Sequence, residues 1–129
     1  MKDDKLWKVF SIYIRLRDAD KNGIVTCITS GRRYHWKDVD AGHFISRRHL
    51  ATKFNEQNVN AQSRHDNRFS SGEQFKYAKA IDKKWGAGTA DKLLVLSRMT
   101  CKRGKFEIDE LTKHYLKEIE RLKVEKGLS

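Results

Sequence analysis

The 129-residue chain carries 28 Lys and Arg against 17 Asp and Glu, a net charge of +11, with 38% apolar and 35% charged residues. That balance suits one soluble domain with a modest core and a wide polar surface. It excludes a membrane-spanning protein, because no window approaches the apolar length a span requires. The opening MKDDKLWKVF lacks the apolar run of a signal peptide, and two cysteines, Cys27 and Cys101, cannot form a disulfide framework. A cytoplasmic protein with free thiols is therefore expected.

The charge is unevenly placed. Residues 30 to 105 hold 17 Lys and Arg against 7 Asp and Glu, while the two ends are close to balance. A surplus concentrated in the middle of a chain suits a surface that meets phosphates, so nucleic acid is the expected partner.

Residues 5 to 17 predict a helix, with Leu6, Phe10, Tyr13 or Ile14, and Arg17 at three- and four-residue steps. Asn22-Gly23 predicts a turn, IVTCIT an extended run, and RRYHWKDVDAGHFI a further extended pair. RDADKNGIVTCITSG has the look of a calcium loop, but the bidentate acid needed at the twelfth position from Asp18 is Thr29, and β-branched residues follow in place of a second helix. Between Ala51 and Gly72 the chain is polar and without period, a loop at or around a site. From Gly72 a helix is expected with Phe75, Ala78, Ile81 and Trp85 on one face. Thr89 is the expected cap of a short helix, and a last helix carries the stripe Ile108, Leu111, Tyr115, Ile119 and Leu122. That stripe packs on the domain or pairs with a second copy in a homodimer. Trp7, Trp36 and Trp85 are expected in the core, and His49 and His114 are given no role.

The middle of the chain holds the residue types hydrolysis of a phosphodiester requires. His43 can act as a base near neutral pH, Asp40 and Asn67 offer oxygens for Mg²⁺ or Mn²⁺, and Arg47, Arg48, Lys53, Arg64 and Arg68 can hold phosphate.

YIRLRDAD (13–20), AGHFISRRH (41–49), FNEQNVNAQ (54–62) and NRFSSGEQFKYAKAIDKKWG (67–86) together resemble the NinG-type phage recombination proteins, relatives of the HNH or ββα-metal endonucleases. The resemblance implies an α+β fold: a single domain 1–129 with an N-terminal helix (1–20), an HNH-like ββα core (21–86) and C-terminal helices (87–129). It implies a metal-dependent DNA endonuclease in which His43 is the general base, Asn58 ties the loop together and helps orient that base, and Asn67 is a metal ligand. HNH enzymes place an acid or His just before the base. Gly42 stands there, as in the NinG type, and Asp40, on the same strand face, is the nearest carboxylate.

Members of this family carry two CxxC pairs, and the matching positions are Cys27 and Ser30, then Ser63 and Asp66. With three thiolates missing, a structural zinc is not expected, and packing by Ile28, Tyr34, Trp36, Val59 and Phe69 is expected to replace the roughly 10 kcal/mol such a site supplies. A rebuilt site using His35 and His65 is the minor alternative. The implied partners are branched or single-stranded DNA and phage or host recombination proteins. The alternative function is a non-catalytic DNA-binding module on the same fold.

Overall fold

The computed structural model describes residues 2–69 and 73–129. Its elements are α1 (Asp4–Asp18), β1 (Ile24–Thr26), β2 (Arg33–His35), a 3-10 turn (Trp36–Asp38), β3 (Asp40–His43), α2 (Leu50–Lys53), β4 (Val59–Gln62), α3 (Arg64–Phe69), α4 (Gln74–Trp85), α5 (Thr89–Ser97) and α6 (Lys105–Lys126). Among the described residues this is an α+β fold of six helices and two small antiparallel sheets, β1–β2 and β3–β4. No helix among them is long and apolar enough to cross a membrane.

Helix α1 is the spine. Leu6, Phe10, Ile14 and Leu16 are fully buried, and each contributes about 1.5–3 kcal/mol by leaving water. One side of α1 meets α6, whose Ile108, Tyr115, Ile119 and Leu122 join the same core, with Leu111 packed against it. The C-terminal stripe therefore faces the domain. The hydroxyls of Tyr13 and Tyr115 both donate to Glu56, at 2.7 and 3.0 Å, and Lys126 donates to the carbonyls of Leu16, Arg17 and Ala19, closing the end of α1. A second, smaller core under α4 and α5 gathers Phe44, Ile45, Tyr77, Ile81, Ala90 and Leu93.

The aspartate-rich stretch is a turn and an anchor. Asp20 accepts the N–H groups of Asn22 and Ile24, and Gly23, at φ +79°, lets the chain reverse into β1. Asp18 accepts from Arg17, Lys84 and the Ala61 N–H, joining α1, α4 and β4. Burial alone would raise its pKa, and these three donors more than reverse that and leave it lowered.

Several expectations are corrected. The polar region 51–72 holds α2, β4 and α3, with Ser70, Ser71 and Gly72 outside the described residues. Phe75 is not on the packed face of α4 but 74% exposed, and Phe69 is 80% exposed and so adds nothing to the core. Trp36 is buried, while Trp7 and Trp85 only border the cores. Thr89 is the first residue of α5 rather than its cap; Gly88 holds that position and the Thr89 hydroxyl donates back to Gly86.

Candidate functional site

Strands β3 and β4 pair in the register Asp40↔Gln62, Ala41↔Ala61, Gly42↔Asn60 and His43↔Val59, and the chain passes from β4 into α3. A cleft of about 970 Å³ opens where α1, β3, the segment after it and α3 meet. His43, Asp40, Asn67, Arg47, Arg64 and Arg68, all expected at the site, line it.

His43 sits at the end of β3, mostly buried, with its ring stacked on Trp7 at 4.6 Å. Its Nε2 lies 3.0 Å from the Lys53 carbonyl. A carbonyl only accepts, so Nε2 carries the proton and Nδ1 keeps the lone pair. Burial, then the nearby charges of Arg47 and Lys53, push its pKa down to about 4 against the opposing pull of that carbonyl, so the ring is neutral at pH 7.

Asn58 is fully buried and holds the segment between β3 and β4 in shape. Its amide donates to the Ile45 and Thr52 carbonyls, both at 3.0 Å, and its carbonyl oxygen accepts the Ile45 N–H at 2.8 Å. Thr52 precedes the residue whose carbonyl holds His43, so Asn58 positions the imidazole at one remove.

Asp40 takes the Arg68 guanidinium on both oxygens, at 2.9 and 2.8 Å, and the Asn67 amide on Oδ2 at 2.9 Å. Arg68, on the exposed side of this pair, has its pKa raised by Asp40. Arg48 is exposed outside the lining of the cleft. Lys53 departs most from expectation. It is buried, with its ammonium 2.9 Å from Asp3, so it is not a surface cation open to phosphate.

Sequence reasoning missed Arg15. It projects from α1 into the cleft, donates to the Ser11 and Trp36 carbonyls at 3.2 and 3.4 Å, and has its pKa lowered chiefly by burial. The signal that could have found it was an arginine between Ile14 and Leu16, two fully buried residues of an otherwise apolar run. Trp7 and Ser11 of α1, Gln74 and Leu94 also border the cleft without having been expected there.

Beyond α3 the four knuckle positions converge. The Cys27 thiol accepts from the N–H groups of Ser63 and Ser30, at 3.1 and 3.4 Å, and lies 4.0 Å from Asp66. Burial would raise the Cys27 pKa, but the hydrogen bonds it receives from Ser30 and Ser63 lower it. The Thr29 hydroxyl donates to Asp66 at 2.6 Å and accepts from Gln62 at 3.1 Å, and Ser63 caps α3 through the Asp66 N–H. Hydrogen bonds among small polar groups thus join the two segments. His35 lies elsewhere, capping the 3-10 turn. Among the described residues no group of three or more His, Cys, Asp and Glu is placed to hold a metal ion.

Fold and cleft define a small, basic α+β protein with an arginine-lined site built around one neutral imidazole. The chain belongs to the family of the bacteriophage lambda NinG protein, which it matches over residues 2–125, and with that family it has a role associated with phage recombination. No curated protein and no solved structure matches it.

Proposed function

We propose that this protein is a metal-dependent DNA endonuclease of the HNH type, with β3, β4 and α3 as its ββα core. The observation that carries the reading is the His43 tautomer: a neutral ring held through Nε2 by the Lys53 carbonyl, with Nδ1 free to take a proton, on a side chain lining a cleft of arginines.

Whether Asp40 and Asn67 suit a divalent ion can be tested on their spacing. The Asn67 amide nitrogen stands 2.9 Å from Asp40 Oδ2, and turning that amide over puts two oxygens at the same separation. Adjacent ligands of an octahedral Mg²⁺ at ~2.1 Å are about 3.0 Å apart, so the pair fits one edge of such an ion. When bound, the ion would stabilise charge on the phosphate and on the leaving oxygen.

The chain's own groups do the rest. Arg15, Arg47 and Arg64 hold the phosphodiester, whose negative charge raises the His43 pKa from its depressed value towards working pH. His43 Nδ1 takes a proton from water as the water oxygen bonds to phosphorus and the ester P–O bond breaks. The Lys53 carbonyl steadies the imidazolium that forms.

Supercoiled plasmid tests the reading. Wild-type protein with Mn²⁺ is expected to nick it, EDTA to stop nicking, and His43→Ala to slow it about 10²–10⁴-fold with DNA binding retained. Undiminished nicking by His43→Ala removes the imidazole from its role.

A second reading has one observation in its favour, the guanidinium of Arg68 lying over the Asp40 carboxylate. If that pair is permanent, the protein is a DNA-binding module on a nuclease-like fold. Binding without metal-dependent nicking by the wild type would select it.

A further inference from the structure

Helix α3 separates two cavities. Arg64, Asn67 and Arg68 line the cleft, whereas His65 and Asp66 border a second cavity of about 360 Å³, together with Thr29, Ser30, Arg32, Tyr34, Ser63 and Lys76. We propose that this second cavity, with the exposed ring of Phe69 beside it, is a binding site for an unpaired strand of DNA. The proposal rests on the reading of the protein as one that acts on DNA, but not on any hydrolytic step.

The cations come first. Arg32 and Lys76 are both exposed, and among the described residues neither head group makes a hydrogen bond or ion pair. Lys76 is felt by Asp66 only as a charge that helps lower its pKa, after the larger effect of the Thr29 hydroxyl. Two such cations across a small polar cavity match the charge of a nucleic-acid backbone, on a chain whose net charge is +11.

The rings decide between a duplex and a single strand. Phe69 is 80% exposed, and its ring centroid lies 6.1 Å from that of His65, which is itself largely exposed. Tyr34 borders the same cavity, half-buried. An aromatic face stacks on a base only when that base has left its own stack, as in single strands. At about 360 Å³ the cavity lies at the small end of ligand sites, room for a nucleotide and not for a duplex.

Asp66 orients the occupant. Its carboxylate accepts from the Thr29 hydroxyl and remains at the cavity wall, where it repels a phosphate. The backbone therefore runs along the rim at Arg32 and Lys76, and a base turns inward toward His65 and Phe69.

Fluorescence anisotropy in EDTA, with labelled oligothymidylate and a blunt duplex of equal length, tests this. Phe69→Ala, a change at an exposed position, is expected to weaken single-strand binding about five- to 100-fold, with the duplex within twofold of wild type and the salt dependence unaltered. Arg32→Ser with Lys76→Ser is expected to lower the slope of log affinity against log salt by about 1.4, or ~0.7 per phosphate released. Arg47→Ser in the cleft weakens both probes. Single-strand binding at wild-type strength in both groove variants overturns the proposal, as does equal loss on the two probes or no single-strand binding by the wild type. Because no metal is present, a wild type that binds in this way yet never nicks plasmid sinks the hydrolase reading alone.

Discussion

Arg68 lays its guanidinium across both carboxylate oxygens of Asp40, at 2.9 and 2.8 Å, in the place where a divalent ion would sit if Asp40 is its ligand. The two cations then compete for one carboxylate. Arg68→Ala is expected to bind Mn²⁺ a few-fold more tightly than wild type in the absence of DNA, read by electron paramagnetic resonance of the free ion. The gain is small because the pair is exposed on the arginine side. The same variant is expected to bind DNA more weakly, having lost a cation that metal binding would release toward the phosphate. Asp40→Asn should lose Mn²⁺ binding altogether. Unchanged affinity in both variants would place the ion elsewhere.

Asn58 carries the fixed shape of the connection between β3 and β4. Replacement by Ala leaves the Ile45 N–H and two carbonyls without their partner in a fully buried place. Loss of about 3 kcal/mol of stability is expected, a fall in Tm on the order of 10 °C by thermal unfolding. Below that transition, nicking per folded molecule should also slow, because the Lys53 carbonyl that holds His43 follows directly on Thr52. A normal rate per folded molecule would confine Asn58 to stability.

Where apolar side chains do the packing, the fold was legible in the sequence. Helices α1, α4 and α6 show a 3.6-residue period because one stripe of each is buried, and α1, expected over residues 5 to 17, runs Asp4–Asp18. Strand β4 was hidden for the opposite reason. All four of its residues are buried, yet Asn60 and Gln62 are amides that bond to Arg17, Lys84, Trp85 and Thr29, so a packed strand reads as a polar loop. Phe69 and Phe75 mislead in the other direction, as apolar residues that the fold leaves in water. At the site, His43 and Asn67 were offered by residue type and given their roles by the resemblance, which alone supplied Asn58, whereas Arg15 was lost among the apolar residues of its helix. Lys53 was counted as a surface cation because nothing local reveals a partner fifty positions away, Asp3.

The resemblance to HNH enzymes leads one to expect a side chain at Gly42, and the structure gives the reason the position is bare. A Cβ there would collide with the Gln62 side-chain oxygen Oε1 and lie 3.0 Å from Gln62 Cβ. Gly42→Ala must therefore push Gln62 off the Thr29 hydroxyl that it bonds at 3.1 Å, at an expected cost of about 1–3 kcal/mol in urea unfolding. Adding Gln62→Ala removes the obstructing amide, so the double variant should lose less than the sum of the two single changes. Simple additivity would mean that the strain lies in the β3 backbone.

The depressed pKa of His43 makes a statement about stability as well as chemistry. Its pKa is lowered from 6.5 to about 4 in the folded chain, so as pH falls through 6.5 the unfolded chain takes up the proton first. Stability is thus fully present above the unfolded value, declines between pH 6.5 and 4, and loses nothing further from this group below that. The full decline is on the order of 3 kcal/mol, since each tenfold difference in proton affinity between the folded and unfolded chains is worth ~1.4 kcal/mol. Asp18 acts in a different window, because its pKa is lowered from 3.8 and its contribution is lost only below that value. Urea unfolding at pH 7.5 and pH 5, in wild type and in His43→Gln, separates the two groups. Gln can still donate to the Lys53 carbonyl but cannot titrate, so the variant should show a flatter dependence between these two pH values. An equally steep decline in the variant would mean that the imidazole takes its proton as readily in the folded chain as in the unfolded one.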